Sequence, residues 1–132
     1  MRFAVSRQWP IAALSLWLAG ISPGHGQERL DITKIYEHFV MANVAKDRCG
    51  GEAADLDQNW SENFYAVMVR TMEALRERNP SVPETRVAAA TQSHTAWLRS
   101  VVESVIEREG CASAKIQELL KLYRIQASMR LR

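Results

Sequence analysis

The chain has 132 residues and a formal net charge of +2. Two of its 17 basic residues, Arg2 and Arg7, lie in the first 26 residues, which contain no acid, so the remaining 15 basic residues equal the 15 acidic residues. The remaining stretch of about 106 residues is long enough for one domain. Because it is neutral, its composition gives no reason to expect nucleic acid or an anionic membrane as the principal partner.

The first 26 residues have the three parts of a secretory signal peptide. Their two arginines supply positive charge, residues 11–19 form an apolar stretch, and Gly24-His25-Gly26 is a small-x-small processing site. The apolar stretch is about half as long as the ~20 residues needed to cross a bilayer, so no transmembrane span is expected. An uncleaved membrane anchor is the main alternative to export.

This N-terminal pattern predicts the domain organisation and the compartment. We expect a signal peptide at residues 1–26, cleaved between Gly26 and Gln27, and a single helical domain at residues 27–132. The protein is then periplasmic or secreted, where cysteine pairs are oxidised.

Two helical patterns follow the signal. Asp31 can cap the first helix, which ends at Cys49-Gly50-Gly51, where glycine can adopt a left-handed conformation. A short acidic connection, residues 52–57, leads to the second helix, which ends at Asn79-Pro80. The inward stripes of the two helices are Ile32, Ile35, Tyr36 and Phe39, and then Trp60, Phe64, Val67, Thr71 and Leu75.

Two more helices complete the chain. Ser81-Val82-Pro83-Glu84 has a serine cap, an early proline and a glutamate at the capping-box position, so a third helix is predicted to start there and to end at Glu109-Gly110. A fourth helix starts after Cys111. The inward stripes are Val87, Thr91, His94, Leu98, Val101 and Val105, and then Ile116, Leu119, Leu120 and Tyr123.

The two cysteines support one arrangement of these helices. Short connections favour antiparallel neighbours, which makes the chain an all-α, four-helix, up-down-up-down bundle. In this topology the first and third helices run parallel, so Cys49 and Cys111 lie at the same pole. We therefore predict a structural disulfide between them, because two isolated thiols make an incomplete zinc site and no Cys-x-x-Cys redox motif is present.

His94 is the most unusual single residue, because it projects onto the apolar stripe of the third helix. A buried imidazole needs a hydrogen-bond partner. Counting about 1.5 Å of rise per residue from the cysteine pole places His94 level with Asp31, so we predict that these two side chains pair. Together with Trp97 and Tyr36 they define a possible ligand pocket.

The fourth helix is the best candidate for an interaction surface. Leu122, Ile125 and Met129 form a second apolar face, away from the inward stripe. A helix that is apolar on two sides must bury both or expose one, so this face is expected to pack on its neighbours or to bind an envelope protein or a second copy of the chain. Four basic residues near the C-terminus, Lys121, Arg124, Arg130 and Arg132, make contact with an anionic membrane surface a further alternative.

No sequence motif predicts catalysis, a cofactor or a metal. Nucleophile-elbow, phosphate-loop, zinc-protease and haem-attachment motifs are absent from the sequence, and His38 and His94 are poorly spaced to share a metal ion. The preferred hypothesis is a non-enzymatic exported protein that binds a partner through the fourth helix. The alternatives are a small-ligand carrier with a pocket near His94, and an enzyme that uses His94 with Asp31.

Overall fold

The computed structural model describes residues 31–51 and 54–131. These residues form four helices: α1 (Ile32–Cys49), α2 (Ala54–Arg78), α3 (Glu84–Glu109) and α4 (Ala114–Ala127). No strand occurs among them, which confirms the all-α prediction. The predicted signal peptide and its processing site lie outside the described residues.

The predicted disulfide and helix order are both confirmed. Cys49 ends α1 and is bonded to Cys111, which follows the end of α3, with their Cα atoms 5.6 Å apart. α1 and α3 therefore run parallel. α2 runs antiparallel to α1, since Lys46 near the end of α1 meets Asp57 at the start of α2, and the Thr71 hydroxyl near the end of α2 donates to the carbonyl of Ile32.

α1 is the central helix of the bundle. It packs against all three other helices, and α2 also packs against α4. By contrast, α3 lies mainly on α1 and approaches α2 only sparsely. The bundle is thus not a symmetric square of helices, and the α2–α3 side is open along part of its length.

Two clusters of buried side chains form the core around α1. The first is aromatic, and in it the Trp60 ring stacks on the rings of Phe64 and Tyr123 with centroids 5.0 and 5.1 Å apart. The second lies towards the disulfide and is aliphatic: Val44, Ala45, Val102, Val105, Ile116 and Leu120. Aromatic pairs at this distance stabilise a core beyond the area that they bury.

Glycines end α1 and α3 for different reasons. Gly110 after α3 has a φ of 85°, which an L side chain rarely adopts. Gly50 after α1 has a φ of −94°, so the predicted left-handed ending is wrong there. Glycine is required at position 50 for lack of space instead, because a Cβ atom there would lie 2.9 Å from the carbonyl oxygen of Lys46.

Two predicted helix starts also need correction. α2 begins at Ala54, so Asp55 and Asp57 belong to its first turn, where negative charge favours the helix dipole, and not to a connection. Ser81 does not cap α3: the cap position is Pro83, which makes no side-chain cap hydrogen bond. The carboxylate of Glu84 instead forms an ion pair with Arg76 across the α2–α3 connection.

A polar cluster ties three helices together near the disulfide pole. The Tyr123 hydroxyl of α4 donates to Asp57 Oδ1 of α2 at 2.6 Å, and Lys46 Nζ of α1 lies 3.0 Å from the same carboxylate. The hydrogen bonds from Tyr123 and Lys46, together with the charge of Lys46, lower the pKa of Asp57 below its ordinary value.

We predict that removing the disulfide strongly destabilises the fold. The bond closes a loop with a sequence separation of 62 residues, and the chain-entropy model assigns to such a loop about 4 kcal/mol of stabilisation. The Cys49→Ser/Cys111→Ser variant is therefore expected to lose most of the net stability of a small domain in urea unfolding. Equal unfolding midpoints for the two proteins would contradict this role.

We also predict acid sensitivity from Asp57. A carboxyl group whose pKa is lowered by folding contributes stability above its unfolded pKa, and that contribution is lost as the pH falls through the folded pKa. The stability difference between the native chain and Asp57→Asn should therefore be constant near neutral pH and shrink below about pH 4. Urea unfolding at several pH values measures it, with the exposed Asp47→Asn as the control. If the stability difference between the native chain and Asp57→Asn does not change with pH, folding does not lower the pKa of Asp57.

Candidate functional site

A buried acid–base pair lies between α1 and α3. His94 Nε2 is 2.5 Å from Glu37 Oε2, and the two residues are 9% and 1% exposed, respectively. The second oxygen, Glu37 Oε1, is buried without a hydrogen-bond partner. Because an unpaired buried polar group costs about 1–3 kcal/mol, the pair with His94 is the contact that keeps Glu37 in the core.

The predicted pairing of His94 with Asp31 is wrong. Asp31 instead caps α1, accepting hydrogen bonds from the backbone N–H and the hydroxyl of Thr33 at 3.1 and 2.7 Å. Its partial burial raises its pKa, but these hydrogen bonds and the nearby Arg78 outweigh that effect and lower the pKa overall. Glu37 lies six residues beyond Asp31 along α1, or about 9 Å of helical rise. The two positions that follow the end of α3 at Glu109 account for only about 3 Å of this difference.

Sequence reasoning missed Glu37, although a signal for it exists. Glu37 follows Thr33 by four residues and precedes Val40 by three, and both neighbours are buried. It therefore occupies an inward position of α1, as His94 does in α3. Two polar residues at inward positions of parallel helices are candidates for a mutual hydrogen bond.

Of the four residues of the predicted pocket, His94 and Trp97 contact each other within α3, and Tyr36 of α1 contacts α3 at Thr95. The Tyr36 hydroxyl is 2.8 Å from the hydroxyl oxygen of Thr95. The Trp97 ring stacks on the His94 ring with centroids 6.0 Å apart, and Trp97 is 37% exposed. Asp31 is separate from this group because it lies at the start of α1.

The predicted surface on α4 borders a groove of about 490 Å³ between α1 and α4. We call it the α1–α4 groove, and it is lined by His38, Met41, Lys115, Glu118, Leu119, Lys121, Leu122 and Ile125. Ile125 is 49% exposed, Leu122 is half-buried, and Met129 near the end of the described chain is 38% exposed. Burial lowers the pKa of His38 on the α1 side, with Lys34 adding to the effect and Glu37 opposing it.

Polar contacts with α2 determine which face of α4 points outward. Trp60 Nε1 donates to the buried Gln126 Oε1 at 2.7 Å, and Asn63 Nδ2 donates to the carbonyls of Gln126 and Met129 at 2.8 and 2.9 Å. Sequence reasoning did not identify Gln126 or Asn63, because polar residues on a helix are usually exposed. Their contacts hold one face of α4 on α2 and leave Ile125 at the surface.

A second groove, of about 600 Å³, lies where α2 and α3 diverge. We call it the α2–α3 groove. Its lining comes mostly from these two helices, with Tyr36 contributed by α1: Tyr36, Tyr65, Met68, Val69, Met72, Arg76, Ala88, Thr91, Gln92, Thr95, Ala96 and Arg99. Of the predicted pocket residues, only Tyr36 lines this groove.

We predict that Glu37 and His94 are strongly coupled in stability. His94→Leu leaves the Glu37 carboxylate buried without its partner and should lower the free energy of unfolding by about 3–5 kcal/mol. The Glu37→Leu/His94→Leu double variant should be less destabilised than His94→Leu, because it buries no orphaned charge. Urea unfolding of the two single variants and the double variant measures the coupling. Additive effects would show that the contact contributes no coupling energy.

Comparison with known proteins assigns no family to this chain. No protein-family model, curated protein or solved structure matches it.

Proposed function

We propose that this protein is an exported, non-enzymatic binding protein, and that the α1–α4 groove binds a protein partner. The observation that carries the proposal is the exposed apolar surface of Ile125 and Met129 beside a groove that is itself largely apolar. Such a surface is unfavourable in water and is typical of a site that another molecule covers. An amphipathic helix laid into a groove is one common form of this recognition.

Charge around the groove indicates the chemistry of the partner. Two lysines, Lys115 and Lys121, line the groove together with the single acid Glu118. Arg124 and Arg130 add positive charge to the same C-terminal segment. The partner that fits is therefore a helix with an apolar stripe flanked by Asp or Glu. A second copy of the chain would bring two basic surfaces together, so a different protein is favoured over a homodimer.

Export is supported by the residues of the N-terminus and by the disulfide. Residues 1–26 have the charge, apolar stretch and processing site of a signal peptide. A disulfide is compatible with a location outside the cytoplasm. Within residues 31–51 and 54–131, no helix is both long and apolar enough to cross a membrane.

The buried pair argues against the enzyme alternative. His94 and Glu37 have the chemistry of an acid–base pair, but at 9% and 1% exposed they offer little surface to a substrate. A general base must come within hydrogen-bond distance of the proton that it removes. The pair therefore fits a structural role better than a catalytic one.

We predict that a photo-crosslinking amino acid at position 125 captures an acidic partner in the cell envelope, whereas the same amino acid at Val69 on α2 does not. The full-length gene is expressed in the source cells, and the intact mass of the envelope form tests cleavage after Gly26. The captured protein is then purified, and its binding is measured with the native chain.

Variants of the native chain test the surface directly. Ile125→Glu should weaken the purified complex by about tenfold or more, because it places a buried acid against an acidic partner. Lys121→Glu should weaken it and reduce its dependence on salt, whereas Val69→Glu should leave it unchanged. A crosslink from position 125 to a second copy of the chain would refute the proposal of an acidic partner and would show that this surface mediates self-association. No crosslink, or equal crosslinks from both positions, would refute the proposal.

A further inference from the structure

The α2–α3 groove has the dimensions of a small-molecule site. Its volume of about 600 Å³ is within the ~300–1,000 Å³ range of ligand pockets. Along α3 its lining runs from Ala88 to Arg99, a distance of roughly 16 Å at 1.5 Å per residue. It is therefore long and narrow, and it lies apart from the α1–α4 groove.

The groove exists because α3 places small side chains opposite α2. At the groove α3 contributes Ala88 and Ala96, whereas α2 contributes the flexible Met68 and Met72. The buried Tyr36 of α1 adds to the lining. Methionine adapts its shape to an apolar ligand at low cost, so this wall suits a flexible chain better than a rigid ring system.

Three of the four hydroxyl groups in the groove wall are already engaged within the protein, and the fourth belongs to Tyr65, which is 64% exposed. The Thr91 hydroxyl donates to the carbonyl of Val87 at 2.9 Å, and the hydroxyls of Thr95 and Tyr36 are hydrogen-bonded to each other. An extended peptide would need partners for its own N–H and C=O groups. The wall offers few such partners and mainly apolar contact instead.

Positive charge lies at the two ends of the groove. Antiparallel packing places Arg99 beside Tyr65 at one end and Arg76 near the α2–α3 connection at the other. Arg76 is paired with Glu84, whereas Arg99 has no acidic partner within the described part of the chain. The lining residues include no acid.

We infer that the α2–α3 groove binds a single-chain anionic amphiphile, a free fatty acid, with its carboxylate at Arg99 and its acyl chain along Met68 and Met72. The apolar wall buries the chain, and the guanidinium forms a charge-assisted hydrogen bond with the carboxylate. This site is separate from the α1–α4 groove, so it does not depend on the function proposed above.

Isothermal titration of the purified protein with sodium myristate, below its micellar concentration, tests the inference. We expect saturable binding of one myristate per chain. Ala96→Trp should weaken binding by about tenfold or more, because an indole ring would occupy the space of the acyl chain. Ala89→Trp is the matched control, since Ala89 is exposed on α3 and does not line the groove.

The charged end is tested separately. Arg99→Gln should weaken myristate binding roughly three- to tenfold, as expected for a partly exposed ion pair, and leave the binding of uncharged tetradecanol unchanged. Arg86→Gln on the same helix is the control. Absence of saturable binding, or equal losses in Ala96→Trp and Ala89→Trp, would overturn the inference. Binding to phosphatidylglycerol vesicles but not to free myristate would overturn it in favour of a membrane surface, and dimerisation abolished by Ala96→Trp would identify a second copy as the occupant.

Discussion

The close packing of α3 on α1 is the constraint on which the rest of the bundle depends. The disulfide holds the ends of these two parallel helices together, with Cα atoms 5.6 Å apart. α3 packs mainly on α1, whereas α2 and α4 pack both on α1 and on each other. α3 therefore diverges from α2, and the space between them becomes the larger of the two grooves described.

Buried polar contacts select one register for this packing. Glu37 meets His94 between α1 and α3, and Trp60 and Asn63 meet Gln126 between α2 and α4. A helix that shifted by one turn would leave these groups buried without partners, at a cost of about 1–3 kcal/mol for each. Apolar side chains alone tolerate such shifts far better.

The two grooves differ in the chemistry that they offer. The α1–α4 groove has exposed apolar residues on a helix with basic residues along its length, which suits the face of an acidic helix. The α2–α3 groove has an apolar wall with arginine only at its ends, which suits one chain with one charged head. Both grooves are proposed here as binding sites, and neither proposal uses the buried His94 as a reactive group.

The amino-acid sequence by itself determined the four helices, their up-down-up-down order and the Cys49–Cys111 bond. Helical periodicity, short connections and the position of two cysteines are local or topological signals, and each was readable along the chain. The partner of His94 was not readable, because the offset between two helices depends on their tilt and on where each departs from helical geometry. The α2–α3 groove was equally hidden: it results from the uneven distances between packed helices, which only the tertiary structure decides, because side chains from three helices must fit together at once.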